Sequence, residues 1–215
     1  MRKAYFGAEG AQIHYRACGN AGDNPPLILL PPSPHSGLYY TSVMPLLAKT
    51  RRVIAVDYPG FGGSDALAGE ASIEGYAQAL LPFLETLGAV NICGFHMGNL
   101  VALELALSRP DLIRKTVMID VPYFAANVRA DLDAKIGQKA KPPQDIGDLA
   151  AGFETNAIKR KADIGAERAF AIWAESLRAG TARNDAFHAA FTYPCEDKFA
   201  ALERPVYIIA TTSGL

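Results

Sequence analysis

Between residues 27 and 120 the chain alternates short, mostly apolar runs with longer stretches in which apolar residues recur at helical spacing. The short runs are Leu27-Ile28-Leu29-Leu30, Arg52-Val53-Ile54-Ala55-Val56, Val90 to Cys93 and Thr116-Val117-Met118-Ile119. Apolar runs without alternation suit strands buried on both faces, as in a parallel sheet. The first periodic stretch carries Tyr40, Val43, Met44, Leu46 and Leu47. The second, behind Ser72 as N-cap, carries Ile73, Tyr76, Leu80, Leu81, Leu84 and Leu87. The third carries Leu100, Val101, Leu103, Leu105 and Leu107 and stops at Arg109-Pro110. Such alternation predicts an α/β fold, a mostly parallel sheet covered by helices on both faces.

Two segments lie outside this rhythm. Residues 3 to 17 alternate loosely around Gly7 and Gly10, with Tyr5, Phe6, Ile13 and Tyr15 at the strand-like positions, and predict an antiparallel hairpin. After Pro122 the strand-like runs cease. Residues 123 to 195 are rich in Ala, Lys, Arg and Asp and predict helices at 125–136, 146–162 and 166–179, before a strand returns at Pro205 to Ala210. The expected division is a core over 1–122, a helical cap inserted over 123–195, and a return to the core over 196–215.

Length and composition narrow the classes. A chain of 215 residues that is 50% hydrophobic can form one domain with a large core. A net charge of -1 gives no electrostatic reason to expect nucleic acid or an anionic membrane as partner, so a small-molecule substrate or ligand is expected. Met1-Arg2-Lys3 is not followed by the apolar core of a signal peptide, and no run approaches the ~18 apolar residues of a membrane span. Cys18, Cys93 and Cys195 are too few and too scattered for a disulfide framework or a zinc site. A reducing, cytoplasmic setting is expected, with no metal and no cofactor.

The candidate chemistry lies at Gly94-Phe95-His96-Met97-Gly98, between an apolar strand and a helix. Small residues two positions either side of His96 let the chain reverse sharply and hold the middle side chain out, the spacing of a nucleophile elbow. His96 stands where that motif usually has serine. Together with the Asp57-x-x-Gly60-x-Gly62-x-Ser64 turn and the order of strands and helices, the elbow resembles the α/β-hydrolase fold in its capped form. The likeness runs from the first hairpin to the last residue.

That resemblance implies roles for further residues. The loop after Leu30 supplies one oxyanion amide in the family. Here it reads Pro31-Pro32-Ser33, and since proline has no N–H, the implied donors are the amides of Ser33 and Met97. His35 in the same loop is expected at the pocket mouth or as an exposed polar residue. The family's acid usually follows the strand at 206–210, where Thr211 to Leu215 carry no carboxylate. Some members place it one strand earlier, which is Asp120. The family's histidine, final strand and final helix would lie beyond Leu215, so either a truncated variant or a fragment of a longer chain is expected, the fragment being favoured because a sheet ending here would leave an unpaired apolar edge.

For His96 the sharp reading is a nucleophile or general base. The following helix points its positive end at the ring and favours the neutral form, and neutral imidazole needs no partner to remove a proton before it attacks. Asp120 would fix its tautomer, although a carboxylate there favours imidazolium. Against this, the ring nitrogens reach beyond the place of a serine oxygen, so the ring intrudes on substrate space. The bland reading is a residue that fills a disused or repurposed pocket, or an engineered replacement of serine. For Asp120 the bland reading is a strand-end carboxylate that caps backbone amides. Cys93 is expected to pack as a small hydrophobe, the Asp57 turn to be structural, His188 to lie at the surface or between helices, and His14 to belong to the outer hairpin. Trp173, Phe170 and Phe153 are read as cap core or as a roof. The expected function is a small-molecule hydrolase acting on an ester or related acyl bond. The alternatives are a non-catalytic small-ligand binder or receptor and a cofactor-free lyase or oxygenase with a histidine base.

Overall fold

The computed structural model describes residues 1–20, 22–137 and 143–211. The carboxylate-free tail, 212–215, lies outside them. Seven strands form one sheet in the order β1-β2-β4-β3-β5-β6-β7: β1 (Arg2–Phe6), β2 (Ile13–Cys18), β3 (Leu27–Leu30), β4 (Val53–Val56), β5 (Val90–Phe95), β6 (Ile113–Ile119) and β7 (Val206–Ile209). The hairpin β1–β2 and the pair β2–β4 are antiparallel, and every other pair is parallel. This is the mostly parallel sheet that the uninterrupted apolar runs predict.

Alternation within those runs sends side chains to opposite faces. Ile28, Leu30, Ile54, Val56 and Ile92 enter one core with the buried sides of α2 (Ile73–Glu85) and α3 (Met97–Ser108). Leu29, Val53, Ala55 and Cys93 enter a second core, closed by a 3-10 turn at Gly37–Tyr40 and by α1 (Met44–Leu47). Each fully buried large apolar side chain contributes roughly 1.5–3 kcal/mol, so both cores are needed to hold the central strands. The Ser72 hydroxyl caps α2 by accepting from the Gly75 amide at 2.9 Å. α3 is apolar over most of its surface because most of that surface is packed.

Between β6 and β7 the chain is helical: α4 (Ala126–Leu132), a π turn at Asp133–Gly137, α5 (Ile146–Phe153), a second π turn at Glu154–Ile158, α6 (Lys161–Ile164), α7 (Ala166–Arg178), α8 (Ala182–Thr192) and α9 (Cys195–Ala200). Two of these, α8 and α9, are additional to the helices expected from the sequence. α8 packs through small residues, Ala186 and Ala189, which join the larger core with Tyr193 and Cys195. Phe153, Phe170 and Trp173 pack on one another, with ring centroids 5.4 and 5.1 Å from Phe153. Among the described residues no helix is long and apolar enough to cross a membrane.

The strand order fixes where a ligand could sit. The chain runs from β3 to β4 on one side and then crosses to β5 on the other side of β3. Such a reversal opens a crevice at the carboxyl ends of the two strands that flank it. The loop after β3 and the turn after β5 therefore face each other there.

Asp57, just after β4, locks that loop. Its fully buried carboxylate accepts from His14 Nδ1 at 2.7 Å, Arg16 Nη1 at 2.8 Å, Gly37 N at 2.8 Å and Gly63 N at 2.9 Å. His14 is thus not a bystander of the outer hairpin, because the β2–β4 pairing carries it inward. Asp57→Ala would strand the buried Arg16 charge without a partner. It is expected to lower unfolding stability by about 3–5 kcal/mol, read from urea denaturation beside Leu46→Ala, an exposed control expected within about 0.5 kcal/mol of the native protein.

Candidate active site

His96 is held out at the β5–α3 turn by backbone geometry that few residues accept. Its φ is 49° and it directly precedes the first residue of α3. Strain of this kind persists where the surroundings over-determine it, and here they do. A Cβ on Gly94 would lie 2.4 Å from Gly98 O, and a Cβ on Gly98 would lie 2.1 Å from Leu30 O. Both glycines are therefore required by close approach. The second contact also seats the start of α3 against the end of β3, so the backbone of Met97 adjoins the loop that carries Ser33 and His35.

Asp120, at the end of β6, also has positive φ, 52°. Parallel pairing of β5 with β6 matches Phe95 with Ile119 and so sets His96 beside Asp120. His96 Nε2 lies 3.1 Å from Asp120 Oδ2, with the two side chains 28% and 13% exposed, so a small molecule can reach the pair. Asn99, wholly buried one turn into α3, fastens the strand end. Its Nδ2 donates to Ile119 O at 2.8 Å and to Asp120 O at 3.2 Å, while its Oδ1 accepts from Ile119 N at 3.1 Å. Sequence reading missed Asn99; its signal was a lone amide within the otherwise apolar first half of α3.

Burial is the largest influence on His96 and lowers its pKa, while the charge and hydrogen bond of Asp120 raise it. Burial prevails, and the ring is neutral at pH 7. With Nε2–H donated to Asp120, the lone pair is on Nδ1, one bond beyond Cγ, the atom that takes the place of a serine oxygen. The free nitrogen is thus the one nearer the main chain.

His35 is half-buried, which corrects the expectation of an exposed loop residue. It stacks on Tyr39 at 5.3 Å between centroids, and Tyr39 in turn lies 5.7 Å from Phe95. Burial, followed by the charges of Arg160, Arg183 and His96, pushes its pKa down to about 3. Ser33 Oγ is buried without a hydrogen-bond partner. Cys93 packs in the second core, and burial raises its thiol to about 11, away from any nucleophilic role. His188 is removed from this group and pairs with Asp133 at 2.8 Å. Among the described residues no group of three or more His, Cys, Asp and Glu side chains could hold a metal ion.

One helix between β6 and β7, α7, reaches this end of the sheet through three side chains. Glu175 of α7 accepts from the Ser36 hydroxyl, Arg178 Nη2 donates to Gly62 O at 3.0 Å, and Arg168 Nη2 donates to Tyr39 O at 2.5 Å.

Similarity to known proteins agrees with this geometry. Residues 25–213 match the family described as alpha/beta hydrolase fold. A putative carbamate hydrolase, RutD, of Pseudomonas syringae is 37% identical over 109 residues, covering 49% of this chain and 42% of that protein. The pimeloyl-[acyl-carrier protein] methyl ester esterase of Aeromonas hydrophila is 36% identical over 112 residues, covering 49% and 41%. The crystal structure of the enol-lactonase from Burkholderia xenovorans superposes with a TM-score of 0.75 at 21% identity, over 97% of this chain and 81% of that one. The matched region spans 42% and 41% of the lengths of the two curated relatives.

Burial of His35 makes stability depend on pH. The unfolded chain takes up a proton near the ordinary value of 6.5, whereas the folded ring does so only at about 3. The stability contributed by the neutral ring is complete above pH 6.5 and is lost as pH falls through that window, at up to about 1.4 kcal/mol per pH unit. Urea titrations between pH 7 and pH 4 are expected to show a shallower loss for His35→Gln than for the native protein.

Proposed function

The chain belongs to the α/β-hydrolase-fold family, and on that premise we propose that it is a hydrolase acting on an ester or related acyl bond of a small molecule, with His96 as nucleophile or base. The observation that carries this reading is the pair His96 Nε2 to Asp120 Oδ2 at 3.1 Å, each residue held with positive φ at the end of its own strand. The printed names of the relatives, a carbamate hydrolase and a methyl ester esterase, both refer to acyl bonds.

In this reading Asp120 accepts Nε2–H and keeps the lone pair on Nδ1, facing the crevice. As nucleophile, Nδ1 forms a bond to the acyl carbon and the bond to the leaving oxygen breaks, that oxygen taking a proton from water. The acyl-imidazolium so formed keeps its Nε2–H on the Asp120 carboxylate, whose charge offsets the new positive charge. Water then adds to the acyl carbon, the acid leaves, and the proton set free neutralises the hydroxide formed in the first step, returning neutral His96. As general base, Nδ1 instead takes a proton from the attacking water and passes it to the leaving group. In both roles the amides of Ser33 and Met97 donate to the carbonyl oxygen as it gains charge.

The helical segment 123–195 is assigned as a cap over a core of 1–122 and 196–215. The links from α7 to Ser36, Gly62 and Tyr39 support it. In this reading the α7 side chains lie over the loop that helps to hold the substrate.

Turnover of short p-nitrophenyl esters tests the proposal against free imidazole at the same concentration. Saturable activity well above imidazole is expected, with a loss of about 100-fold or more in His96→Ala. Activity no better than imidazole, gained only in His96→Ser, would overturn the role of His96.

The pH profile tests Asp120 separately. Activity requires neutral His96, so it falls as pH drops through the pKa of that ring. Asp120 raises that pKa. Asp120→Asn is therefore expected to move the acid limb of kcat/KM to lower pH while reducing its plateau.

A further inference from the structure

The helices between β6 and β7 bring arginines near His35, in the loop that faces the His96 turn. Arg160, which follows the second π turn, and Arg183 on α8 form no ion pair among the described residues. Arg183 Cζ lies 5.7 Å from the centroid of the Phe187 ring, and its Nε is buried without an acceptor. Beside it, Asn184 Oδ1 is buried without a donor, as are Ser33 Oγ and His35 Nδ1 in the facing loop without partners. Buried polar atoms are nearly always paired, so these four require an explanation.

Electrostatics and packing join these groups into one site. Arg160, Arg183 and His96 all act on the His35 ring, and Arg160 and Arg168 act on Tyr39, on which His35 stacks. Arg160, Arg168 and Tyr39 line one cavity of about 260 Å³ together with Asp163. Arg168 lies 6.0 Å over the Tyr39 ring. Both histidines are neutral at pH 7. The fixed charges here are the guanidinium groups of Arg160, Arg168 and Arg183 against the carboxylates of Asp120 and Asp163, a surplus of one positive charge. A monoanion matches that surplus, and a dianion such as a phosphate monoester exceeds it.

We propose that the His96 site takes an acyl compound that also carries a free carboxylate, held by Arg183 and Arg160 while its acyl bond lies against His96. A guanidinium fork matches the two carboxylate oxygens, and such charge-assisted bonds are short and strong. The carboxylate supplies the anionic partner that the Arg183 guanidinium lacks. The Ser33 hydroxyl can donate to the same ligand, and Asn184 Oδ1 suits an N–H or O–H elsewhere on it. This deepens the hydrolase reading by naming its substrate class, and rests on it.

The test compares mono-p-nitrophenyl glutarate with p-nitrophenyl pentanoate, which has a similar chain and no carboxylate. The native protein is expected to prefer the glutarate by at least tenfold in kcat/KM. In Arg183→Gln and Arg160→Gln that ratio is expected to fall at least tenfold, mainly through KM of the glutarate. A role in folding alone would lower both substrates together and leave the ratio unchanged, which would overturn the proposal. Because Arg160 is exposed, its variant keeps the test meaningful even if Arg183→Gln folds poorly.

Calorimetric titration with glutarate separates this proposal from the hydrolase reading. Binding that survives in His96→Ala and weakens at least tenfold in Arg160→Gln would support the carboxylate site even if no ester were turned over. Absence of glutarate binding in the native protein would overturn it even if neutral esters were hydrolysed through His96.

Discussion

The carboxylate of Asp57 has been taken wholly out of water, and it is tolerable there only because four donors converge on it. Those donors come from the outer hairpin, the loop after β3 and the glycine turn after β4. None of these segments is positioned by apolar packing alone. Gly62 shows how tightly the turn is wound, since a Cβ there would lie 2.0 Å from Asp57 Oδ2. Fixing Gly37 fixes the far end of the loop that carries Ser33 and His35. That loop is one wall of the crevice, so its shape depends on a buried charge.

The opposite wall depends on sterics. Two glycines permit the contact between α3 and β3, and Asn99 then ties α3 to the end of β6 by three hydrogen bonds. His96 and Asp120 both accept positive φ because the backbone around them is held on two sides. One buried amide thereby links the strained turn of the imidazole to that of the carboxylate. Loss of Asn99 would leave three backbone groups without their present partner, and the relation between the two side chains would loosen even though neither had changed.

The pattern of residues carried the fold further than it carried the site. Strands buried on both faces appear as uninterrupted apolar runs, and the central strands and the helices that follow two of them were readable for that reason. α8 was not, because it joins the core through Ala186 and Ala189 on a helix otherwise polar or aromatic, a contact that leaves little periodic signal. α9 is only six residues long. At the site, His96 was visible through its flanking glycines and Asp120 through its position at a strand end. His14, Asn99, Arg160 and Arg183 were not. Each matters through a partner far off in sequence: Asp57 for His14, Ile119 and Asp120 for Asn99, and His35 for the two arginines.

A histidine at an elbow differs from a serine there in reach, charge and volume, and the surroundings bear on all three. Reach is limited by which nitrogen is free, and Asp120 on Nε2 leaves Nδ1, the shorter of the two. Charge is held down by burial, which outweighs the pull of the carboxylate. Volume is the difference that the fold cannot offset, since the ring occupies space that would otherwise receive the acyl portion of a ligand. A smaller acyl group makes fewer apolar contacts and so has less of its own binding energy to hold it in place. In the proposed reading, attraction between a carboxylate and the unpaired guanidinium groups makes up that deficit. The arginines would then be a consequence of the histidine: the ring narrows the acyl site, and recognition moves outward to a charge the cap helices can reach.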